Sequence, residues 1–320
     1  MKLLLSVIIA ATYGLSIRLA YNFLDASMEI MSFSFFFLLP FLIGYLTVIL
    51  IPYKTKHTAT GAFFKPTLTC LVILVITLFF NIEGMICWVM AFPLFALLAG
   101  AGGVVAFHRK RKRSILNTEW DFEKDDWEKP GSLKISFLLL IPILAGLLEG
   151  DRISSFKEIT VEKQVELNAS PNVVWNTLVE KSRPGKGNTL SLANILGFPH
   201  HLNTTLEKPV VNGSRIATYE KGLTFIETIR KIQPGRLLVL EITNDPSKIS
   251  TAIMDEHIVI GGKHIKLLED EYRLEELPNG RTLLSLSSRF SINTPFNWYA
   301  GLWAEWLMSG ILKEELSSLS

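Results

Sequence analysis

Cysteine is almost missing from this chain. Cys70 and Cys87 are the only two in 320 residues, and both lie in or beside apolar runs of the first half. From Asp151 onward there is none, so that half has no disulfide framework and must rest on a core of its own. A surplus of positive charge is missing too. Thirteen Lys and Arg against ten Asp and Glu precede residue 151, leaving 19 against 20 after it. A near-neutral second half lacks the basic face that nucleic-acid binding needs. Absent as well are a nucleotide-binding glycine loop, a G-x-S-x-G elbow and a zinc-protease motif. His200-His201 is a poor metal pair, because adjacent side chains seldom converge on one ion and no Cys or carboxylate stands at a useful spacing. The acidic run DFEKDDWE at 121–128 lacks the glycine and spaced oxygens of a calcium loop and reads as a solvated linker. No metal and no cofactor are expected.

What is present divides at about Gly150. The chain is 49 % hydrophobic with a mean hydropathy of +0.32, and the apolar excess is concentrated in residues 1–150. Five apolar runs, at 3–24, 31–51, 62–80, 82–107 and 133–148, predict an all-α transmembrane bundle, a span needing about 20 residues. The fifth is short and interrupted by Pro142. Arg18 stands near the end of the first run, where it is expected to reach the interface. Lys54, Lys56 and His57 lie between the second and third runs, Lys65 stands at the entrance of the third, and His108-Arg-Lys-Arg-Lys-Arg113 follows the fourth. By the positive-inside rule these loops and the N-terminus are cytoplasmic. Five spans then place the second half outside the cytoplasm, as in a bacterial inner-membrane protein. Without the fifth, that half is cytoplasmic.

The second half reads as strands and two helices. ITVEKQVEL at 159–167 alternates as a strand with one wet face. Ser170-Pro171 opens a helix to about Glu180 with Val174, Trp175 and Leu178 inward. Strands are predicted at 215–220, 225–232, 237–243, 264–277 and 281–293, with Pro278-Asn-Gly280 as a hairpin turn. Thr294-Pro295 caps a last helix, in which Tyr299, Trp303, Trp306 and Gly310 form one stripe with Leu302 and Leu307 at its edges. Each ring buries roughly 150–250 Å² when covered, so this stripe is expected to lie on the sheet, either as packed core or as the lining of an apolar cavity. Arg215, Tyr219, Glu227 and Arg230 sit on strands and can orient a ligand or form solvent-side ion pairs. Alternation puts Glu227 and Ile229 on one face and Ile226, Thr228 and Arg230 on the other. His257 and His264, with Asp255 and Glu256, form an alternative acid–base group around Gly261-Gly262.

The segments VELNASPNVVWNTL (165–178), GSRIATYEKGLTFIETIRKIQPGRLLVLEI (213–242) and YRLEELPNGRTLLSLSSRFSI (272–292), followed by the aromatic helix, together resemble the START-like, polyketide cyclase-like (SRPBCC, Bet v 1-like) helix-grip family over residues 157–319. That resemblance implies an α+β helix-grip domain, a curved antiparallel sheet around a long C-terminal helix with a tunnel for lipids or other hydrophobic small molecules. Candidate lining residues are Tyr299, Leu302, Trp303, Trp306, Arg215, Tyr219 and Glu227. Three functions stand open: membrane-anchored handling of a lipid or apolar ligand, a cyclase- or hydratase-type enzyme, and a non-catalytic interaction module.

Overall fold

The computed structural model describes residues 2–24, 30–51, 58–117, 132–149, 155–184, 194, 198–243 and 259–319. Residues 255–257 and the acidic run at 121–128 lie outside them. The chain forms two compact units, one of Met1–Glu83 with Cys87–Ser154, the other of Gly84–Ile86 with Ser155–Ser320.

The first unit is helical: α1 (Lys2–Phe23), a π-helical turn (Ser34–Leu38) leading into α2 (Leu39–Ile49), α3 (Ala59–Phe79), α4 (Met85–Asn117) and α5 (Ser132–Glu149). Three stretches are long and apolar enough to cross a membrane, Lys2–Phe23, Ala59–Phe79 and Met85–Lys112, while Ser34–Ile49 and Leu139–Glu149 are shorter apolar helices. The basic segment after the fourth run is the continuation of α4 itself. Small residues let the helix backbones meet. A Cβ on Gly44 would stand 1.8 Å from the Ala99 carbonyl oxygen, and one on Gly102 would stand 2.0 Å from that of Phe41. Hydroxyls bridge helices, with Thr47 Oγ1 and Thr69 Oγ1 3.0 Å apart. Arg18 does not reach outward: it is buried and ion-paired with Glu83. Pairing serves a buried guanidinium, and Glu83 is within reach on the α3–α4 connection.

The second unit opens with β1 (Phe156–Leu167) and α6 (Pro171–Leu178). Six strands follow, β2 (Ser182–Pro184), β3 (His201–Leu206), β4 (Ser214–Tyr219), β5 (Thr224–Gln233), β6 (Leu237–Thr243) and β7 (Ile265–Leu277). β8 (Arg281–Asn293) and α7 (Asn297–Ser318) complete it. Among the described residues these make one antiparallel eight-stranded sheet in the order β1-β8-β7-β6-β5-β4-β3-β2. The β7–β8 hairpin turns on Asn279 and Gly280, at φ of 70° and 72°, the left-handed conformation that Asn-Gly adopts most cheaply. β2 and β3 were not anticipated; β2 spans three residues, and β3 is a polar run, HLNTTL, without clear alternation.

α7 lies across β1 and β8, the helix-grip arrangement. Its cap differs from the expectation. Phe296 occupies the N-cap, and the Asn297 side chain accepts from the Thr294 backbone N–H at 2.8 Å and from its hydroxyl at 3.0 Å. Its packing face differs too. Ala300, Ala304 and Met308 meet Ile159, Phe290 and Ile292, and Leu312 and Leu316 join the main core with Trp175, Leu238, Leu240, Leu284 and Leu286. Small and aliphatic residues thus meet the sheet, while Leu302 is 63 % and Trp306 44 % exposed on the opposite side. Aromatic area marked the wrong face because close approach to β1 and β8 selects short side chains there.

We expect Gly44→Ala to destabilise the helical unit by about 1–3 kcal/mol or more, since a backbone carbonyl would have to move. Gly301→Ala, where the added Cβ would meet only side-chain atoms at 3.4–3.6 Å, should be neutral or slightly stabilising. Melting of the detergent-solubilised full chain, followed by size-exclusion, separates the two.

A candidate ligand site on the inner face of the sheet

Inward positions of the central strands run apolar, polar, apolar. On β5 they are Phe225, Glu227 and Ile229; on β7, Leu267, Asp270 and Tyr272; on β8, Phe290, Ser288 and Leu286. The phase on β7 depends on a bulge between Leu267 and Glu269, which places Asp270 and Tyr272 on the face that Leu267 began. One apolar cluster, of Ala217, Leu223, Phe225, Ile242 and Ile260, lies on one side of the polar band. The main core containing Ile229, Leu240, Leu286 and Leu316 lies on the other.

Within the band, Arg215 on β4 and Glu227 on β5 are directly opposite in register. Arg215 Nε stands 2.9 Å from Glu227 Oε2, and the residues are only 3 % and 6 % exposed. The guanidinium also lies over the Tyr272 ring, 5.4 Å from its centroid. From the last turns of α7, Glu315 accepts a hydrogen bond from the Tyr272 hydroxyl at 3.0 Å and pairs with Arg183 of β2. Arg183 in turn donates to Ser318 Oγ at 3.0 Å. His201 closes the group, its Nε2 2.7 Å from Thr204 Oγ1 and its Nδ1 4.0 Å from Glu315 Oε2. Five strands and the helix therefore converge on one polar knot.

The electrostatics divide the carboxylates. Burial alone would raise Glu315, but Arg183, Arg215 and His201 outweigh it and hold it at about 2. Burial raises Glu227, and Arg215 only partly offsets this, because Glu315 beside it pushes the same way. Among the described residues no cation pairs with Asp270; burial lifts it to about 7 despite a hydrogen bond from Ser288. Burial works against the charge on Arg215, and Glu227, Tyr272 and Glu315 more than restore it. Burial lowers His201, favouring the neutral ring even beside Glu315. Although Arg215 and Glu227 are close, their geometry is that of an ion pair and not of an aligned hydrogen bond. Arg215 Nε and Nη1, Glu227 Oε2 and Asp270 Oδ1 are buried without a hydrogen-bond partner among the described residues. Such atoms are costly to leave unmet.

Of the residues singled out in the sequence, Arg215 and Glu227 are brought together here. Tyr219 is near, its ring packed on Phe225, Phe198 and His201 at centroid distances of 5.3, 6.0 and 5.2 Å. Tyr299 and Trp303 are half-buried in a ring chain with Trp306 (6.5 and 5.8 Å), and Leu302 and Trp306 face outward, away from the band. Arg230 pairs instead with Glu241 in the solvent-side role. His264 is held by the Asn293 carbonyl oxygen at 2.9 Å. Arg183, Asp270, Tyr272 and Glu315 are not singled out in the sequence, and His201 is considered there only as half of a metal pair. Counting back by twos from Leu274 and Tyr272 would have found Asp270.

The ion pair and the raised carboxyl generate opposite expectations. Arg215→Met strands Glu227 and should cost about 3–5 kcal/mol, part of it recovered by adding Glu227→Gln. Asp270, with a folded pKa above its unfolded value, favours folding only while protonated; that contribution is lost as pH rises from about 4 through about 7. Asp270→Asn should therefore raise the melting temperature at pH 8 and leave it little changed at pH 4, read from thermal unfolding of the full chain at both pH values.

Solved structures similar to this chain share little of its sequence. Norcoclaurine synthase from Thalictrum flavum is 12 % identical, over 52 % of this chain and 92 % of that one, with a TM-score of 0.32. A START superfamily protein from Mycobacterium smegmatis is 15 % identical over 50 % and 93 %, at 0.33. A protein from Nitrosospira multiformis is 13 % identical over 50 % and 93 %, also at 0.33. No protein-family model and no curated protein matches the sequence. The helix-grip arrangement accordingly rests on the chain's own strand order and on α7 lying across β1 and β8.

Proposed function

We propose that this is a membrane-anchored protein whose helix-grip domain holds a lipid or another amphipathic small molecule. The apolar body would lie against the two clusters of the inner face, and the polar group would meet the band of Arg215, Glu227, Asp270 and Tyr272, with Tyr219 at its edge. The observation that carries the reading is the set of buried, unmatched polar atoms between apolar clusters. Binding sites for small molecules combine an apolar lining with a few polar groups that fix orientation. A core built only for stability would favour apolar residues over this ionic group. The three long apolar helices support an anchor, and the basic end of α4 supports a cytoplasmic location for that end. With α5 as a fifth span the helix-grip domain lies outside the cytoplasm, in a bacterium on the outer side of the inner membrane.

Asp270 favours a second reading, proton transfer. A carboxyl at about 7 is available in both forms near neutrality. In that case Asp270→Asn would keep the ligand but stop its conversion, seen as an unchanged mass of the molecule that co-purifies.

The binding reading is tested by reconstituting the full chain in vesicles containing a diazirine-bearing fatty acid, irradiating, and mapping the adducts by mass spectrometry. Adducts are expected on peptides of β4, β5 and β7, and several-fold fewer with Arg215→Met/Glu227→Gln. Labelling confined to the helices of the first unit would sink it.

A further inference from the structure

The outward face of α7 carries an aromatic surface that the ligand site does not use. Trp298, Leu302 and Trp306 recur every four residues and are 62, 63 and 44 % exposed. Successive ring contacts, Trp298–Tyr299 at 5.7 Å, Tyr299–Trp303 at 6.5 Å and Trp303–Trp306 at 5.8 Å, link Trp298 to Trp306. Exposed Phe156, at the start of β1, stands near the beginning of this helix, because Asn297 Nδ2 donates to Ser155 Oγ at 3.2 Å. A contiguous apolar patch on an outer face marks a contact surface. Rinsing such residues in water would be costly, and their type is informative. Trp and Tyr concentrate where a membrane meets water, since each has an apolar ring and a polar N–H or O–H.

We infer that this face of α7, together with Phe156, rests in the headgroup region of the bilayer, an inference that depends on the membrane anchor proposed above. Two further observations favour lipid over a protein partner. The first is covalent. Ser155 follows Glu149, the last residue of α5, by six residues, and at ~3.3–3.6 Å per residue the tether cannot exceed roughly 20 Å. The first turn of α7 is bonded to the end of that tether. The second is charge. Exposed Lys157 lies against α7 at Gly301, Lys266 Nζ sits 5.7 Å from the Phe156 ring centroid, and Lys313 continues the exposed line of the helix. Glu305 is the carboxylate on the same side. Ammonium groups flanking an aromatic strip suit anionic headgroups. An amphipathic ligand leaving the bilayer would then have only a short path to the inner face of the sheet.

The test uses the full chain with Cys70→Ser and Cys87→Ser, carrying one cysteine at Leu302→Cys or, for reference, at exposed Val210→Cys. Each is labelled with the fluorophore NBD and placed in vesicles of phosphatidylcholine and phosphatidylglycerol containing lipids with a doxyl quencher high on the acyl chain. If Cys70→Ser impairs folding, Cys70 is kept, since burial protects it from the label. Several-fold stronger quenching at 302 than at 210 is expected. Equal quenching in a chain that resists alkaline carbonate extraction overturns this inference alone. Loss of the chain to carbonate overturns the anchor and this inference together. A 302–302 crosslink without quenching assigns the face to a second copy and likewise overturns it.

Discussion

The C-terminal unit depends on how charge is tied off beneath α7. Arg183, Arg215, Glu227, Tyr272 and Glu315 come from β2, β4, β5, β7 and the helix, and none could be buried alone without several kcal/mol of desolvation. Together they satisfy enough of one another to stay folded, and still leave donors and acceptors unmatched. Glu315 is the joint: it accepts from Tyr272, pairs with Arg183 and lies 3.9 Å from Arg215 Nη2. The end of α7 is thus set by electrostatics, whereas its middle is set by Ala304, Met308 and Leu312 against the sheet. One helix has two attachments of different chemistry, and the inner face between them is where an amphipathic molecule would be oriented.

Much of this architecture was legible in the sequence, because sheet alternation and turn chemistry are local. Pro278-Asn-Gly280, the β1 alternation and the Ser170-Pro171 helix start each reappear within a few residues of where they were expected. The site was only partly legible. Arg215 and Glu227 stood out as strand charges, but whether their face is inner or outer is set by packing partners far away in the chain. Asp270 is in phase with Tyr272 and Leu274, but the bulge between Leu267 and Glu269 breaks the alternation when β7 is read from its start. Glu315 stands in KEEL, where nothing in the local pattern sets it apart from its charged neighbours. The sharpest difference concerns α7, where a helix with apolar residues on both sides has no periodicity that tells its packed face from its outer one. Size decided: small residues went to the sheet and the large rings went outward.

In the helical unit the same contest between size and charge has another result. Gly44 and Gly102 allow backbones to touch, where any side chain would meet a carbonyl oxygen. Arg18, expected to reach outward, is neutralised inside by Glu83. Tyr21 is buried as well, its hydroxyl 2.9 Å from Ser34 Oγ and donating to the Pro142 carbonyl oxygen at 2.7 Å. That contact fastens α1 to the start of the second apolar segment and to the proline of α5, so the kink-prone Pro142 carries a partner for an otherwise buried hydroxyl.

The pairing of β1 with β8 has a consequence for biosynthesis. Phe156 aligns with Asn293 and Leu167 with Thr282, so the first strand of the domain to be made finds its neighbour only after more than a hundred further residues have been polymerised. Until then β1 presents an open edge and Ile159 has nothing to cover it. A nascent chain in this condition invites wrong partners. Local zipping of β4 with β5, β5 with β6 and β7 with β8, each pair joined by a short connection, would leave the docking of β1 as the late, rate-setting event.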